Sequence, residues 1–173
     1  DRAALLRRWL PAIRRTVSCH RKMCLAYDDA PEVLAFVGRR DLTTLARIGP
    51  ATPDHMLRTK RLPLIVAAGS RPITALSPEA IVRQLARYAR HHERYFRTYR
   101  RPGQALQSPY PRVILMPGIG MLTTGKDPTE CARVATLYRH AMAIMRDASS
   151  VGRYTSVSAR KAFGVEYWPL ELY

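Results

Sequence analysis

Apolar residues recur at helical spacing in three long segments, and the first of these opens the sequence. Between Arg2 and Val17 they follow one another at intervals of three and four, with arginines between them. This spacing predicts an amphipathic helix over 2–17 in which Pro11 introduces a kink or a new turn. Its apolar stripe consists of Leu5, Leu6, Trp9, Leu10 and Ile13.

The two later helices carry start signals in the sequence. Ser77 supplies a cap, followed by a proline and an acidic residue, which predicts a helix that runs to about Arg101. Asp127-Pro-Thr-Glu130 forms a capping box and predicts a helix through about Asp147. The predicted apolar stripes are Leu85, Ala89, His92, Phe96 and Tyr99 in the former helix, and Cys131, Val134, Ala135, Tyr138, Met142 and Met145 in the latter.

Short apolar runs between these segments predict β-strands. They cover residues 23–27, 33–37, 62–68 and 112–116, and short helices are expected at 41–47 and 158–163. Strands that alternate with amphipathic helices predict the α/β class, with a small, mostly parallel sheet of three or four strands flanked by helices in Rossmann-like layering. We divide the chain into an N-terminal helix (1–20), an α/β domain (21–150) and a C-terminal tail (151–173).

Composition adds a strong positive charge to this picture. The 173 residues include 29 Lys+Arg against 13 Asp+Glu, a formal net charge of +16. These cations are spread along the chain, whereas nucleic-acid-binding proteins concentrate them on one element. A basic nucleic-acid-binding module is therefore the alternative hypothesis, and its surface would be the helical ridge of Arg83, Arg87, Arg90, Arg94, Arg97 and Arg101.

Cysteine usage and hydropathy point to the cytoplasm. Three cysteines without a CxxC pair indicate neither a disulfide framework nor a zinc knuckle. The longest apolar runs are too short to span a bilayer, and no secretory signal pattern opens the chain. We expect a cytoplasmic protein without membrane contact, and a homo-oligomer is possible.

The stretch Gly120 to Lys126 has the GxxxxGK spacing of a phosphate-binding loop. Its position predicts a loop between a strand and a helix N-terminus, where backbone amides can hold an anion. Asp127 stands where such loops need Ser or Thr for magnesium, so we interpret Asp127 as a helix cap and disfavour nucleotide hydrolysis. The candidate phosphate or substrate ligands here are Gly118, Gly120, Thr123, Thr124 and Lys126. The alternative is a tight turn whose glycines only permit the bend.

A second polar cluster follows Gly49-Pro50. Asp54-His55 is a weak candidate for a catalytic acid/base pair, and the cationic segment beyond it offers further phosphate ligands, Arg58, Thr59 and Lys60. We predict no metal site in this chain, because no HxH or His-x-x-Glu pair lies nearby.

Three segments together resemble the bifunctional class II aldolase/short-chain dehydrogenase fusions of the rhamnulose-1-phosphate aldolase/alcohol dehydrogenase type. They are GPATPDHMLRTK at 49–60, PRVILMPGIGMLTTGK at 111–126 and EYWPLELY at 166–173. The resemblance implies that the chain is an intervening or C-terminal part of the aldolase half. It also implies a parent oxidoreductase that acts on a sugar phosphate or alcohol in carbohydrate metabolism, and it leaves open an additional aldehyde-lyase activity.

The catalytic motifs of that family have no match here. The aldolase histidines (an HxH and a later His-Gly), the dehydrogenase GxxxGxG turn and its Tyr-x-x-x-Lys pair are all missing from the sequence. NAD(P) and zinc are therefore implied for the parent and no cofactor for this chain. We expect a piece that is not catalytic alone, that supports phosphate or substrate binding, and whose partners are the flanking aldolase and dehydrogenase domains. A purely structural linker domain is a further possibility.

Overall fold

A mixed β-sheet lies between two layers of helices in the computed structural model, which describes residues 1–169. The helices are α1 (Arg2–Val17), α2 (Pro31–Val37), α3 (Leu42–Ala46), α4 (Pro53–Thr59), α5 (Pro78–Tyr99), α6 (Pro128–Val151) and α7 (Ala159–Glu166). The strands are β1 (Cys24–Asp28), β2 (Leu64–Ile65), β3 (Val113–Met116) and β4 (Gly120–Gly125), and a 3₁₀ turn covers Ile73–Ala75. Leu170 to Tyr173, the end of the third resemblance segment, lie outside the described residues.

The strand order across the sheet is β1-β4-β3-β2 within residues 1–169. β2 and β3 are parallel, whereas β4 pairs antiparallel with both β3 and β1. The α/β class with a small sheet is confirmed, and the sheet is mixed, with one parallel pair. The reason is a tight hairpin between Met116 and Gly120, which returns the chain beside β3 instead of sending it across a helix. Of the strand predicted over 62–68 only Leu64–Ile65 forms a strand of the sheet, and β4 was not predicted as a strand.

This hairpin corrects the conformation expected for the GxxxxGK stretch. Residues 120–125 form strand β4 and not a phosphate-binding loop. Gly118, with φ 71°, lies in the hairpin turn at the opposite end of β4 from Lys126. The GxxxxGK spacing therefore arises from a strand with a glycine at each end. The prediction that this stretch is a loop whose backbone amides hold an anion is wrong.

The strand predicted over 33–37 is also wrong, because this segment belongs to helix α2. Pro31 occupies the first turn, and Val33, Phe36 and Val37 are buried on one side of the helix. A five-residue apolar run fits a strand or a buried helical turn equally well, so its periodicity could not separate the two.

Two hydrophobic clusters cover the two faces of the sheet. On one face, Val113 and Leu115 pack with residues of α2, α3 and α6. On the other face, Ile114 and Met116 pack with α1 and α5. The alternation along β3 thus divides its side chains between two helical layers, as expected for a strand that is buried on both sides.

The long helices begin where their sequence signals predict, whereas α5 ends at Tyr99, slightly before the predicted Arg101, and α6 continues to Val151, past the predicted Asp147. α1 spans the predicted residues and continues through Pro11, and Ser77 and Asp127 accept hydrogen bonds at the starts of α5 and α6. The predicted stripe of α6 is fully buried, and that of α5 is buried except for the half-buried Tyr99. Within the described residues, no helix is long and apolar enough to cross a membrane.

Candidate functional site

Four polar or ionisable side chains meet in the interior between α4, α5 and α7. The Lys60 ammonium lies 3.1 Å from His92 Nε2 and donates to the Ser108 carbonyl at 2.6 Å. The Tyr167 hydroxyl also lies 3.1 Å from His92 Nε2. A carboxylate oxygen of Glu166 lies 3.7 Å from the same nitrogen. We call Lys60, His92, Glu166 and Tyr167 the buried quartet, because each is at most 8% exposed.

Lys60 adopts a backbone conformation that is rare for a residue with a side chain. It follows the last residue of α4 with φ 63° and ψ 167°, and among residues 1–169 it is the one non-glycine residue with positive φ. Such a conformation costs about 1–3 kcal/mol and persists only where the surrounding contacts impose it. Here it turns the chain from α4 toward β2 and places the lysine side chain in the interior.

Burial changes the ionisation of the quartet. Burial lowers the pKa of Lys60 to about 8, although the charge of Glu166 opposes this effect. Burial likewise raises the pKa of Glu166, against the opposing charge of Lys60. Burial, together with the charge of Lys60, lowers the pKa of His92 to about 2, so His92 is neutral and its Nε2 accepts a hydrogen bond.

An open cleft of about 680 Å³ adjoins the quartet and contains Lys60 and Glu166 in its wall. It lies at the edge of the sheet where β2 and β3 begin and β4 ends. Its walls come from α4, α5, the start of α6, the 106–109 loop and residues 20–21 before β1. Among the described lining residues, the cationic side chains are Arg21, Arg58, Lys60, Arg112 and Lys126, and the acidic ones are Glu93, Glu130 and Glu166.

The cations of the cleft differ in how far they are neutralised. Arg112 forms an ion pair with Glu130 at 3.0 Å, with both side chains less than one-fifth exposed. Arg58 and Lys126 are exposed and take part in no ion pair with a residue in the range 1–169. These two side chains are therefore available to a ligand in the cleft.

Part of the residue set predicted from sequence converges here. Arg58, Lys60 and Lys126, which come from two separate motifs, line the same cleft. Arg112, Glu130 and Glu166 were not predicted as site residues. Arg112 and Glu166 lie inside the segments that carry the family resemblance, and Glu130 belongs to the capping box, so their positions in familiar motifs were the available signal.

The other predicted ligands do not line the cleft. The hydroxyls of Thr59, Thr123 and Thr124 are buried and donate to the carbonyls of His55, Cys131 and Pro111. Gly118 and Gly120 lie at the far hairpin. These five residues thus support the local backbone around the strands and α4, and the structure does not bring them together with Lys126.

Asp54 and His55 do not form the expected acid/base pair. His55 is 2% exposed, and its Nδ1 lies 2.7 Å from the Thr52 hydroxyl, whereas Asp54 is exposed at the start of α4. Burial is the largest cause that lowers the pKa of His55, followed by the charge of His140. The side chain of His55 lies outside the cleft lining.

The cofactors implied for the parent family do not fit these residues. Within residues 1–169, no group of three or more His, Cys, Asp or Glu side chains is arranged to hold a metal ion. The described βα connections carry no glycine-rich dinucleotide turn, since the glycine-rich segment forms the β3–β4 hairpin. The cleft residues provide cations and proton donors but no ligand set for zinc or NAD(P).

The lowered pKa of Lys60 predicts how stability depends on pH. Between pH 8 and 10.5 the unfolded chain binds more protons at this lysine than the folded chain, so the free energy of unfolding gained from Lys60 rises with pH. We therefore expect the free energy of unfolding of the native protein, minus that of Lys60→Met, to increase from pH 8 to pH 10.5. Urea unfolding at half-unit pH steps measures it.

Other groups titrate in the same pH range. Because the native protein and Lys60→Met both contain them, their contributions cancel in the difference. Burial raises the pKa of Cys131 to about 11, so this thiol lowers stability as the pH rises above 9 in both proteins. Parallel stability curves for the native protein and Lys60→Met would contradict the assignment of the rise to Lys60.

Comparison with known proteins places the chain in a described family. A family model described as "Aldolase class II, second domain" matches residues 4–173. The chain is 38% identical over 166 residues to a Bacillus subtilis (strain 168) protein named "Uncharacterized oxidoreductase YuxG". The match covers 95% of this chain and 24% of that protein, so the chain spans about a quarter of the length of the curated relative it matches.

Proposed function

The chain belongs to the family of class II aldolase second domains, and from this premise we propose that it binds a small phosphorylated substrate for a longer enzyme. The observation that carries the proposal is the convergence of Arg58, Lys60 and Lys126 on one cleft. The substrate class is a sugar phosphate or a phosphorylated alcohol. The domain's own role is to bind and orient this molecule.

The charges of the cleft support an anionic ligand. Arg58 and Lys126 lie on its rim without an acidic partner among the described residues, and a guanidinium and an ammonium are the side chains that bind phosphate best. Arg112 lies deeper and is held in place by Glu130, and its second nitrogen donates to the Thr124 carbonyl. The rim therefore supplies free charge, and the paired Arg112 keeps the floor in position.

The acidic side of the cleft supports a ligand that also carries hydroxyl groups. Glu166 Oε2 is buried and has no hydrogen-bond partner within residues 1–169. A carboxylate oxygen without a donor is costly in the interior and favours a ligand hydroxyl beside it. A phosphate at the rim and hydroxyl groups directed toward Glu166 match the two ends of a sugar phosphate.

The role of the whole protein follows from the same premise. We propose that the parent combines this domain with an aldolase module and a short-chain dehydrogenase module, and that these modules supply zinc and NAD(P). The relative named as an oxidoreductase, of which this chain spans 24%, supports a parent of that kind. The domain then also contributes contacts that pack the modules together, and its own residues perform no bond-breaking step.

Titration with inorganic phosphate and with a sugar phosphate tests the binding site. We expect one saturable site per chain by isothermal titration calorimetry, with amide shifts near Arg58 and Lys126 in NMR spectra. Arg58→Ala and Lys126→Ala remove exposed charges and are each expected to weaken binding about tenfold, because a charged hydrogen bond to phosphate contributes about 1.5–3 kcal/mol.

Arg90→Ala is the matched control for the high net charge of the chain. It removes one exposed guanidinium from α5, away from the cleft. Equal loss of affinity in Arg90→Ala and Arg58→Ala would show that phosphate binds through general charge, and the proposed site would then be wrong. The same conclusion would follow if the amides around the cleft did not shift at millimolar phosphate.

A further inference from the structure

Two histidines from different helices meet on the side of the sheet that α6 covers. His55 is in α4 and His140 is in α6, and these helices pack against each other. Their ring centroids are 5.2 Å apart, and the ring planes are inclined by 55°. Neither ring lines the open cleft beside the buried quartet, so the pair is a separate feature of the molecule.

One ring nitrogen of His55 lacks a partner. His55 Nε2 is buried, and no hydrogen-bonding atom of the described chain reaches it. The other ring nitrogen, Nδ1, lies 2.7 Å from the Thr52 hydroxyl oxygen, which also accepts the His55 amide hydrogen. If Nδ1 carries the ring proton and donates it to Thr52, Nε2 is left with a free lone pair. Metal-binding histidines in proteins are oriented in the same way by a hydrogen bond from the second nitrogen.

We propose that His55 Nε2 and a ring nitrogen of His140 together bind a first-row divalent metal ion such as Zn²⁺, with water in the remaining positions. The spacing of the rings fits this ion. For nitrogen-to-zinc distances of about 2.0–2.1 Å and tetrahedral angles, two imidazoles on one metal have ring centroids about 5 Å apart. The observed separation of 5.2 Å matches this value.

The unpartnered nitrogen gives the pair a reason to take up a ligand. Burial and the charge of His140 lower the pKa of His55, against the opposing charge of Asp54, and the neutral imidazole is the form that binds metals. Metal binding would satisfy the orphaned Nε2, which otherwise costs free energy in the interior. The pair is distinct from the three-histidine set implied for an aldolase module, and the inference does not depend on the proposed phosphate site.

Titration of tag-free, metal-stripped protein with Co²⁺ and Zn²⁺ tests this inference. We expect one Co²⁺ per chain with visible absorption bands of nitrogen and oxygen ligation, and displacement of Co²⁺ by Zn²⁺. His140→Ala changes an exposed residue and is expected to fold normally while its affinity falls at least about tenfold. His91→Ala removes another exposed histidine, on α5, and is expected to bind like the native protein.

Three outcomes would overturn the inference. They are the absence of stoichiometric binding at micromolar metal, equal affinity in His140→Ala and the native protein, and intense thiolate-to-cobalt bands, which would place the ion at the cysteines. Circular dichroism of each variant verifies that a lost site does not reflect a lost fold. Because His55 is buried, His55→Gln is used only where this control shows native structure.

Discussion

Gly120→Ala is expected to destabilise the protein by about 3 kcal/mol, because the added methyl group has no space. A Cβ at this position would lie 2.6 Å from the Asp28 carbonyl oxygen and 3.0 Å from the Tyr27 ring. The backbone is held there by the β1–β4 pairing and by the Tyr27 hydroxyl, which donates to the Ile119 carbonyl at 2.7 Å. Gly120 also has φ 144°, a value that side chains rarely adopt.

Gly118→Ala is the matched control in the same hairpin. Gly118 has φ 71°, but no heavy atom within residues 1–169 would lie within 4 Å of its Cβ, leaving aside its chain neighbours. We expect a cost of about 1 kcal/mol from backbone conformation alone. Urea unfolding monitored by tryptophan fluorescence measures both variants. Similar costs at the two positions would show that the close approach of β1 to β4 is not what requires glycine at 120.

Lys60→Ala is expected to cost about 3–5 kcal/mol, the range for removing one partner from a buried charged group. The substitution removes the Lys60 donor from the Ser108 carbonyl and from His92 Nε2, and it removes the stronger of the two positive charges, those of Lys60 and Arg61, that act on buried Glu166. Alanine retains the penalty of the positive φ, so the loss reports the side chain and not a relaxed backbone. Arg58→Ala, two residues earlier and exposed, is expected to change stability by less than about 0.5 kcal/mol.

A double-mutant cycle separates the charge of Lys60 from its packing. Glu166→Gln removes the buried carboxylate, and in this background Lys60→Met is expected to cost about 2 kcal/mol less than in the native protein. Equal costs in the two backgrounds would contradict an electrostatic connection between Lys60 and Glu166. No nitrogen–oxygen distance below 4.0 Å joins these two side chains among the contacts of residues 1–169, so the connection acts through space and through His92.

The quartet and the cleft depend on each other physically. Lys60 fixes the loop before β3 through the Ser108 carbonyl, and Gln104 fixes the same loop through the Tyr167 carbonyl. Residues 106–109 of this loop form one wall of the cleft. Stability lost at the quartet is therefore expected to loosen the wall against which the proposed substrate binds.

The helices were predictable because their signals are local. The caps at Ser77 and Asp127, the prolines behind them and the 3.6-residue apolar stripes act within one or two turns of chain. The strand segments were less certain. The run at 33–37 satisfied strand and helix patterns equally, and the glycines of 118–125 fitted a phosphate loop as well as a tight turn before a helix, whereas they belong to a hairpin.

The candidate site was predictable in its residue types and not in its geometry. Arg58, Lys60 and Lys126 were identified from their own motifs, but nothing local relates a residue in α4 to one at the end of β4. The pairing of Arg112 with Glu130 across 18 positions, and of Lys60 with His92 across 32, has no counterpart in sequence spacing.

The sequence by itself determined the α/β class, the starts of the long helices, the apolar faces they bury and the relation of the chain to the class II aldolases. These properties depend on periodicity, capping and linear motifs, which act between near neighbours. Only the tertiary structure decided the mixed order of the sheet, the turn that buries Lys60 and the meeting of separate cations in one cleft. The physical reason is that these features depend on long-range contacts, whose free energy is gained only after the chain has closed large loops.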